Sequence, residues 1–143
     1  MSDAPLLTMR SITKYYPVAK GQITAVDDVS FDVMPGEIVG IVGESGSGKT
    51  TLSRIAARLI DHSDGRIWFD GQDITHVSGR AFAQSPLRRR LQMVFQDPLA
   101  SLNPRFRAAE AIGDPVRRLG SAGERARRAD LVAEAAAHAG LPE

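Results

Sequence analysis

The sequence contains no cysteine, only three lysines and few aromatic residues, which make up 6% of its 143 residues. Without cysteine, disulfides, thiolate zinc sites and cysteine nucleophiles are all excluded. No apolar run approaches the ~18 residues that would span a bilayer. The first residues also lack the basic start and apolar core of a signal peptide. These absences are consistent with a cytosolic location.

Charge is nearly balanced, with 18 basic and 17 acidic residues, but it is unevenly distributed along the chain. Residues 1–79 carry ten acidic and seven basic side chains, whereas residues 80–143 carry seven acidic and eleven basic ones. A nucleic-acid-binding surface would interleave basic residues with aromatic ones. Basic residues cluster tightly in this sequence at Arg88, Arg89 and Arg90, and these three are not interleaved with aromatic residues. We therefore predict that the protein does not bind nucleic acid.

Hydrophobic periodicity predicts an α/β protein, with a mixed core to about residue 95 and a helical segment after it. Alternating residues predict two strands, a β-branched run predicts a strand buried on both faces, and a further short strand precedes the helical segment. A hairpin is predicted where Asp70 and Gly71 follow a short strand. The predicted strands are Leu7–Thr13, Thr24–Val33, Glu37–Val42, Arg66–Phe69 and Leu91–Phe95.

Helical spacing predicts helices at Lys49–Ile60, Arg107–Leu119 and Ser121–Ala139, with partial helix over Gly79–Arg90. The second of these should be interrupted near Gly113 and Pro115. The third begins with a capping box, because Ser121 and Glu124 can each satisfy a free amide of the first turn. Gly140 should end it in the left-handed conformation.

One segment of the sequence matches a motif that binds phosphate. Residues 43–50 match the pattern G-x-x-x-x-G-K-[ST] of a phosphate-binding loop. Glycines let successive backbone N–H groups point at phosphate oxygens, and the following helix adds its positive end. Lys49 would contact the β- and γ-phosphates, Thr50 would bind Mg²⁺ and Thr51 would add a phosphate contact. The candidate nucleotide-binding residues are Gly43, Ser45, Gly46, Ser47, Gly48, Lys49, Thr50 and Thr51.

A phosphate loop alone does not distinguish kinases, GTPases and transport ATPases. The neighbouring motifs resemble, in order, those of the nucleotide-binding domain of ABC transporters, over about residues 6–141. They are Lys14-Tyr15-Tyr16-Pro17, the run Ala25–Phe31, Pro35-Gly36-Glu37, the loop itself and the run Gly65–Gly71. The run Val94–Arg105 is similar to the Q-loop region of the oligopeptide and dipeptide importers. A small kinase or GTPase is disfavoured, since no Asn-Lys-x-Asp guanine motif is present.

The resemblance implies ATP and Mg²⁺ as cofactors and assigns roles to further residues. Tyr16 would stack on adenine, with the adjacent Tyr15 as the alternative. Gln96 would be the Q-loop glutamine, which reaches Mg²⁺ and the attacking water. Lys49 and Gln96 would thus be the catalytic residues on this chain, while Asp97–Arg105 would face the membrane permease.

The resemblance also implies partners and a location. The partners would be transmembrane permease subunits, a second identical or different ATP-binding subunit and, indirectly, a solute-binding protein. The protein would be peripheral on the cytoplasmic face of the cell membrane. There it would couple ATP binding and hydrolysis to the import of peptides or similar small solutes.

Several family motifs are not found in this sequence, namely the Leu-Ser-Gly-Gly-Gln signature, the apolar strand ending in Asp-Glu and the switch histidine. We therefore expect an incomplete domain: residues 1–95 as a partial ATP-binding core, and residues 96–143 as the Q-loop and the start of the helical subdomain. Such a chain would hydrolyse ATP poorly and be marginally stable or self-associating. The alternative is a non-catalytic remnant that holds nucleotide or docks on a permease.

Overall fold

The computed structural model describes residues 4–97 and 101–141. The chain packs as two compact units, residues 1–85 and 86–143. The domain boundary predicted between residues 95 and 96 was placed by sequence motifs, whereas these units are defined by packing. The predicted boundary therefore stays a prediction. Within the described residues, no helix is long and apolar enough to cross a membrane.

The first unit is built on an antiparallel sheet of β1 (Leu7–Val18), β2 (Gly21–Val33), β3 (Asp64–Phe69) and β4 (Gln72–Asp73), in the spatial order β2-β1-β3-β4. The long β1–β2 hairpin forms because both segments alternate apolar and polar residues, and β3 pairs with the other edge of β1. Two short helices, α1 (Lys49–Ala56) and α2 (Gly79–Phe82), complete the unit.

Apolar side chains from the sheet, α1 and α2 form the core of the first unit. Burial of these side chains is the main favourable term that holds α1 against the strands. This packing fixes the position of the loop that precedes α1. The fully buried members are Met9, Ile12, Ile55, Ile67, Phe69 and Phe82.

The second unit is helical, as predicted. It contains a 3-10 helix (Pro86–Arg89), then α3 (Ala108–Leu119), α4 (Ala122–Ala126) and α5 (Arg128–His138). The capping box is confirmed: the Glu124 amide donates to Ser121 Oγ at 3.3 Å, and the Ser121 amide donates to Glu124 Oε2 at 2.6 Å. Gly140 has the predicted positive φ, at +69°.

Two predicted strands are not formed. Residues 37–42 lie outside the sheet, with Ile38 and Val42 98% and 93% exposed. Residues 91–95 likewise form no strand, and Val94 is 93% exposed. A strand needs a neighbour for its backbone N–H and C=O groups, and the described part of the chain places none beside either segment. The prediction of a strand before the phosphate loop was therefore wrong for this structure.

Three helix predictions also need correction. The first helix ends at Ala56 rather than Ile60, because Arg58 adopts a left-handed conformation with φ +53°. The helix predicted to break near Gly113 runs unbroken to Leu119, although Pro115 lies inside it. Gly113 lets α5 approach closely, since a Cβ there would lie 3.1 Å from Val132 Cγ2, and this contact stabilises the helix. The last predicted helix is divided at position 127.

Candidate nucleotide-binding site

The phosphate loop ends at the start of α1. Gly48 is the residue that caps the helix, with φ +90°, and its carbonyl accepts the first helical hydrogen bond from the Leu52 amide at 2.8 Å. The first turn contains no acidic side chain. The positive end of the helix is therefore not neutralised by a carboxylate and favours an anion at this point.

Lys49 folds back into the loop. Its ammonium donates to the Gly43 carbonyl at 2.8 Å, to the Glu44 carbonyl at 2.5 Å and to Ser47 Oγ at 3.4 Å. The Ser47 amide donates to the Glu44 carbonyl at 3.2 Å and tightens the same turn. The loop thus holds a cation at its centre through carbonyl oxygens, and an anion placed beside that ammonium would gain a charge-assisted hydrogen bond.

Glycine is required where the loop meets the sheet. A Cβ on Gly48 would lie 2.1 Å from the Ala25 carbonyl oxygen in β2, far inside van der Waals contact. Gly46 also has a left-handed φ of +82°, but nothing lies within 4 Å of its missing Cβ. The two glycines therefore have different roles, one for close approach and one for the turn alone.

A cavity of about 450 Å³ lies between the loop, α1 and β2. Ser47, Gly48 and Lys49 line it from the loop side, and residues 24–27 line it from β2. Its volume is within the range of ordinary small-ligand sites. The end of the cavity that Lys49 lines is polar and suits a phosphate group, while Val26 and Leu52 form an apolar part of its wall.

The remaining loop candidates surround this site at its surface. Thr50 is exposed and Thr51 is half-buried on the first turn of α1, while Ser45 is exposed in the loop. The structure places them together with Lys49 in the first unit. Their assignment to Mg²⁺ and phosphate stays a prediction.

The two candidate tyrosines lie near the tip of the β1–β2 hairpin. Tyr15 pairs with Thr24 and Tyr16 with Ile23, and the two residues are about equally exposed, at 38% and 39%. The exposed fractions therefore do not indicate which tyrosine would stack on adenine. Tyr16 differs by one contact, since the ammonium of Lys14 lies 5.2 Å from the centroid of its ring.

Gln96 lies in the second unit, exposed and outside any helix or strand. Its predicted role toward Mg²⁺ and water stays a prediction. The predicted permease-facing segment, Asp97–Arg105, is only partly covered, because residues 98–100 lie outside the described residues.

Sequence reasoning missed three features of this region. The contact between Gly48 and the Ala25 carbonyl is made by main chain, and no residue type signals it. The burial of Arg58 depends on the turn after α1, which the helical pattern concealed. The contact of Lys14 with Tyr16 had an available signal, because residues two apart on a strand share a face.

The sheet, the loop and the helix that the loop begins define the ATP-binding-cassette class of P-loop proteins. A solved structure described as a dimeric post-hydrolysis state of the ATP-binding cassette MJ0796, bound to ADP and Pi, matches with a TM-score of 0.79 at 26% identity. The match covers 96% of this chain and 58% of that one, and it confirms the α/β fold class. The sequence profile described as ABC transporter matches residues 26–143, so the chain belongs to the ABC transporter family.

Curated relatives of this chain are named as ATP-binding proteins of peptide import or transport. A putative peptide import ATP-binding protein of Brucella ovis is 44% identical over 131 residues, which are 90% of this chain and 41% of that protein. A probable peptide ABC transporter ATP-binding protein of Sinorhizobium fredii is 49% identical, over 81% and 34% of the two chains. The oligopeptide transport ATP-binding protein AppF of Bacillus subtilis is 44% identical, over 77% and 35%. The match thus covers between about a third and two fifths of the length of these relatives.

Proposed function

We propose that this chain binds ATP with Mg²⁺ and forms the nucleotide-binding part of an ABC importer subunit for peptides or similar small solutes. The observation that carries the proposal is the ammonium of Lys49, held inside a phosphate loop at the start of a helix whose first turn has no acidic side chain. The names of the relatives support the peptide class, since they describe import of peptides and oligopeptides.

The residues present fit a magnesium triphosphate. Lys49 and the amides of the loop would bind the phosphate oxygens, and Thr50 would supply a hydroxyl to the metal, with Gln96 as a second candidate. Bound Mg²⁺ would neutralise charge on the β- and γ-phosphates. Tyr16, or Tyr15 in its place, would stack on the adenine. Each of these roles is part of the proposal.

The proposed partners follow from the same comparison. A neighbouring solved structure is described as dimeric, which supports pairing with a second ATP-binding subunit. Names that describe import support association with transmembrane permease subunits, and through them with a solute-binding protein. The chain would then act at the cytoplasmic face of the membrane, where ATP is available. Catalytic turnover by this chain alone is expected to be low, because its sequence lacks the Asp-Glu strand and the signature motif.

Removal of the loop ammonium tests the phosphate role directly. Lys49→Ala should weaken binding of a fluorescent ATP analogue at least tenfold, because the variant loses a charge-assisted contact to the phosphates. Equilibrium fluorescence titration in the presence of Mg²⁺ measures this. Lys20→Ala is the matched control, since Lys20 is an exposed lysine in the turn of the β1–β2 hairpin.

Equal affinities for Lys49→Ala and the unchanged chain would contradict the proposal. The same holds if Lys20→Ala weakens binding as much as Lys49→Ala, because the effect would then be one of net charge. Far-ultraviolet circular dichroism of each variant shows whether the fold is retained.

A further inference from the structure

Lys14 connects two parts of the first unit that are distant in sequence. It lies in β1, two residues before Tyr16, and its ammonium is 5.2 Å from the centroid of that ring. The same ammonium donates a hydrogen bond of 2.7 Å to the carbonyl oxygen of Asp61, which follows α1. One cation therefore touches both the aromatic hairpin and the segment after the helix that the phosphate loop begins.

This geometry restrains the tyrosine. A cation over an aromatic face is attracted by the negative charge of the π-system. Because the cation is itself bonded to a backbone carbonyl, it cannot follow the ring through other rotamers without loss of one contact. Tyr16 is 39% exposed, and its ring would otherwise exchange between rotamers. Lys14 holds it by one face and leaves its exposed part accessible.

The register relates the backbone position of Tyr16 to the phosphate loop. Tyr16 pairs with Ile23, and Ala25 lies only two residues further along β2, where its carbonyl meets Gly48. Two residues of strand span about 7 Å. The backbone of Tyr16 is thus paired with β2 about two residues from the point where β2 meets the phosphate loop, so a nucleotide held by its phosphates at the loop would extend its base toward the hairpin.

We propose that Lys14 is a positioning residue for the purine base: it holds Tyr16 in the orientation in which the ring stacks on the base of a bound nucleotide. The inference rests on the proposed function, because it needs a nucleotide at the loop. It also selects Tyr16 over Tyr15, since Lys14 contacts the ring of Tyr16. A ring that is already ordered loses less conformational entropy when the base binds.

The test separates the base from the phosphates. Affinities for ATP and for inorganic tripolyphosphate, both with Mg²⁺, are measured for the unchanged chain and for Lys14→Met, Lys14→Arg and Lys20→Met. Lys14→Met should weaken ATP binding about two- to fivefold, the range of an exposed cation–π contact. Tripolyphosphate binding should not change. Lys14→Arg should restore part of the ATP affinity, and Lys20→Met should leave both affinities unchanged.

Other results of these binding measurements would contradict the proposal or a part of it. An equal loss for ATP and tripolyphosphate in Lys14→Met would overturn the proposal, since Lys14 would then act on the phosphates or on the fold. Unchanged ATP affinity in Lys14→Met would overturn it as well. If Tyr16→Ala still weakens ATP binding in that case, the stacking role of Tyr16 stands without Lys14. A failure of the proposed function is distinguishable, because Lys49→Ala would then leave tripolyphosphate binding unchanged.

Discussion

At the scale of single residues, the contact between Gly48 and β2 has the strictest geometry in the site. The carbonyl oxygen of Ala25 occupies the space where a Cβ would stand, at 2.1 Å from its position. Gly48 also has φ +90°, a conformation that side chains with a Cβ disfavour by about 1–2 kcal/mol. Position 48 therefore combines a steric and a conformational requirement for glycine.

Gly46 offers a matched comparison, because its φ is +82° and its missing Cβ faces open space. Gly46→Ala should reduce the free energy of unfolding by about 1–2 kcal/mol through backbone strain alone. Gly48→Ala should cost about 2–5 kcal/mol, since overpacking against main chain adds to the same strain. Urea unfolding without nucleotide measures both. Equal losses in the two variants would contradict the predicted clash.

Residue positions that depend on local order were predictable from sequence. The loop pattern and the following helix lie within residues 43–56, so the position of Lys49 at the start of a helix could be predicted before the fold was known, while its role stays a prediction. Lys14 and the Asp61 carbonyl are 47 residues apart, and only the folded chain brings them together. The choice between Tyr15 and Tyr16 rests on the contact of Lys14 with the ring of Tyr16, which spacing on one strand face allows but does not establish.

At the scale of elements, Arg58 joins the end of α1 to the segment before α2. Its side chain is 1% exposed and donates to Asp61 Oδ1 at 3.2 Å, to His62 Nδ1 at 3.2 Å and to the Val77 carbonyl. Burial lowers the pKa of the Arg58 guanidinium from its ordinary value, against the opposing effect of Asp61. These acceptors satisfy the two terminal amino groups of this buried charge, whereas its Nε has no hydrogen-bond partner in the described part of the chain.

This arrangement predicts that acid destabilises the first unit. Burial and then the charge of Arg58 lower the pKa of His62 below 6.5, while Asp61 opposes the shift. A neutral imidazole can accept the bond from Arg58, whereas a protonated one cannot. Because the folded state binds the proton less tightly than the unfolded state, this stabilisation is complete above about pH 6.5 and is lost as the pH falls below it.

We therefore expect the thermal unfolding midpoint to fall between pH 7 and pH 5, and His62→Gln to reduce that fall. His138→Gln is the control, since His138 is exposed in α5. Differential scanning fluorimetry across this pH range measures the midpoints. The same acid sensitivity in the His62 variant and the unchanged chain would argue against this origin.

Elements that are specified by residues close together in the sequence were predicted correctly. Elements that depend on a neighbouring strand or helix were not. The capping box of Ser121 and Glu124 and the hairpin at Gly71 follow from side chains within a few residues. The β-branched run at residues 37–42 has strong strand propensity but needs a neighbouring strand to form a ladder. Pro115 indicated a break, yet the close packing of Gly113 against α5 keeps the helix continuous.

At the scale of the whole molecule, an apolar segment stands at the surface of the first unit. Residues 37–42 have no partner strand among the described residues, and Ile38 is almost fully exposed. The segment contains four β-branched residues and a single charge, Glu37. Such segments pair readily with one another when two chains meet.

We expect this 143-residue chain to self-associate, with oligomers increasing with concentration in sedimentation velocity experiments. Ile38→Lys should shift the distribution toward monomer, because a charge opposes pairing at an exposed strand. Leu102→Lys is the control, since Leu102 is exposed outside this segment, at 53%. A concentration-independent monomer for the unchanged chain would contradict the prediction, and so would an equal effect of both substitutions.

The contact of Gly48 with β2 has a consequence for how this site can evolve. Both partners are main chain, so no substitution at position 25 removes the carbonyl oxygen that fills the space. Compensating mutations, which often rescue side-chain clashes, are not available here. In a saturation screen for nucleotide binding, position 48 should accept only glycine in every genetic background, whereas the tolerance of position 46 should increase in stabilised backgrounds.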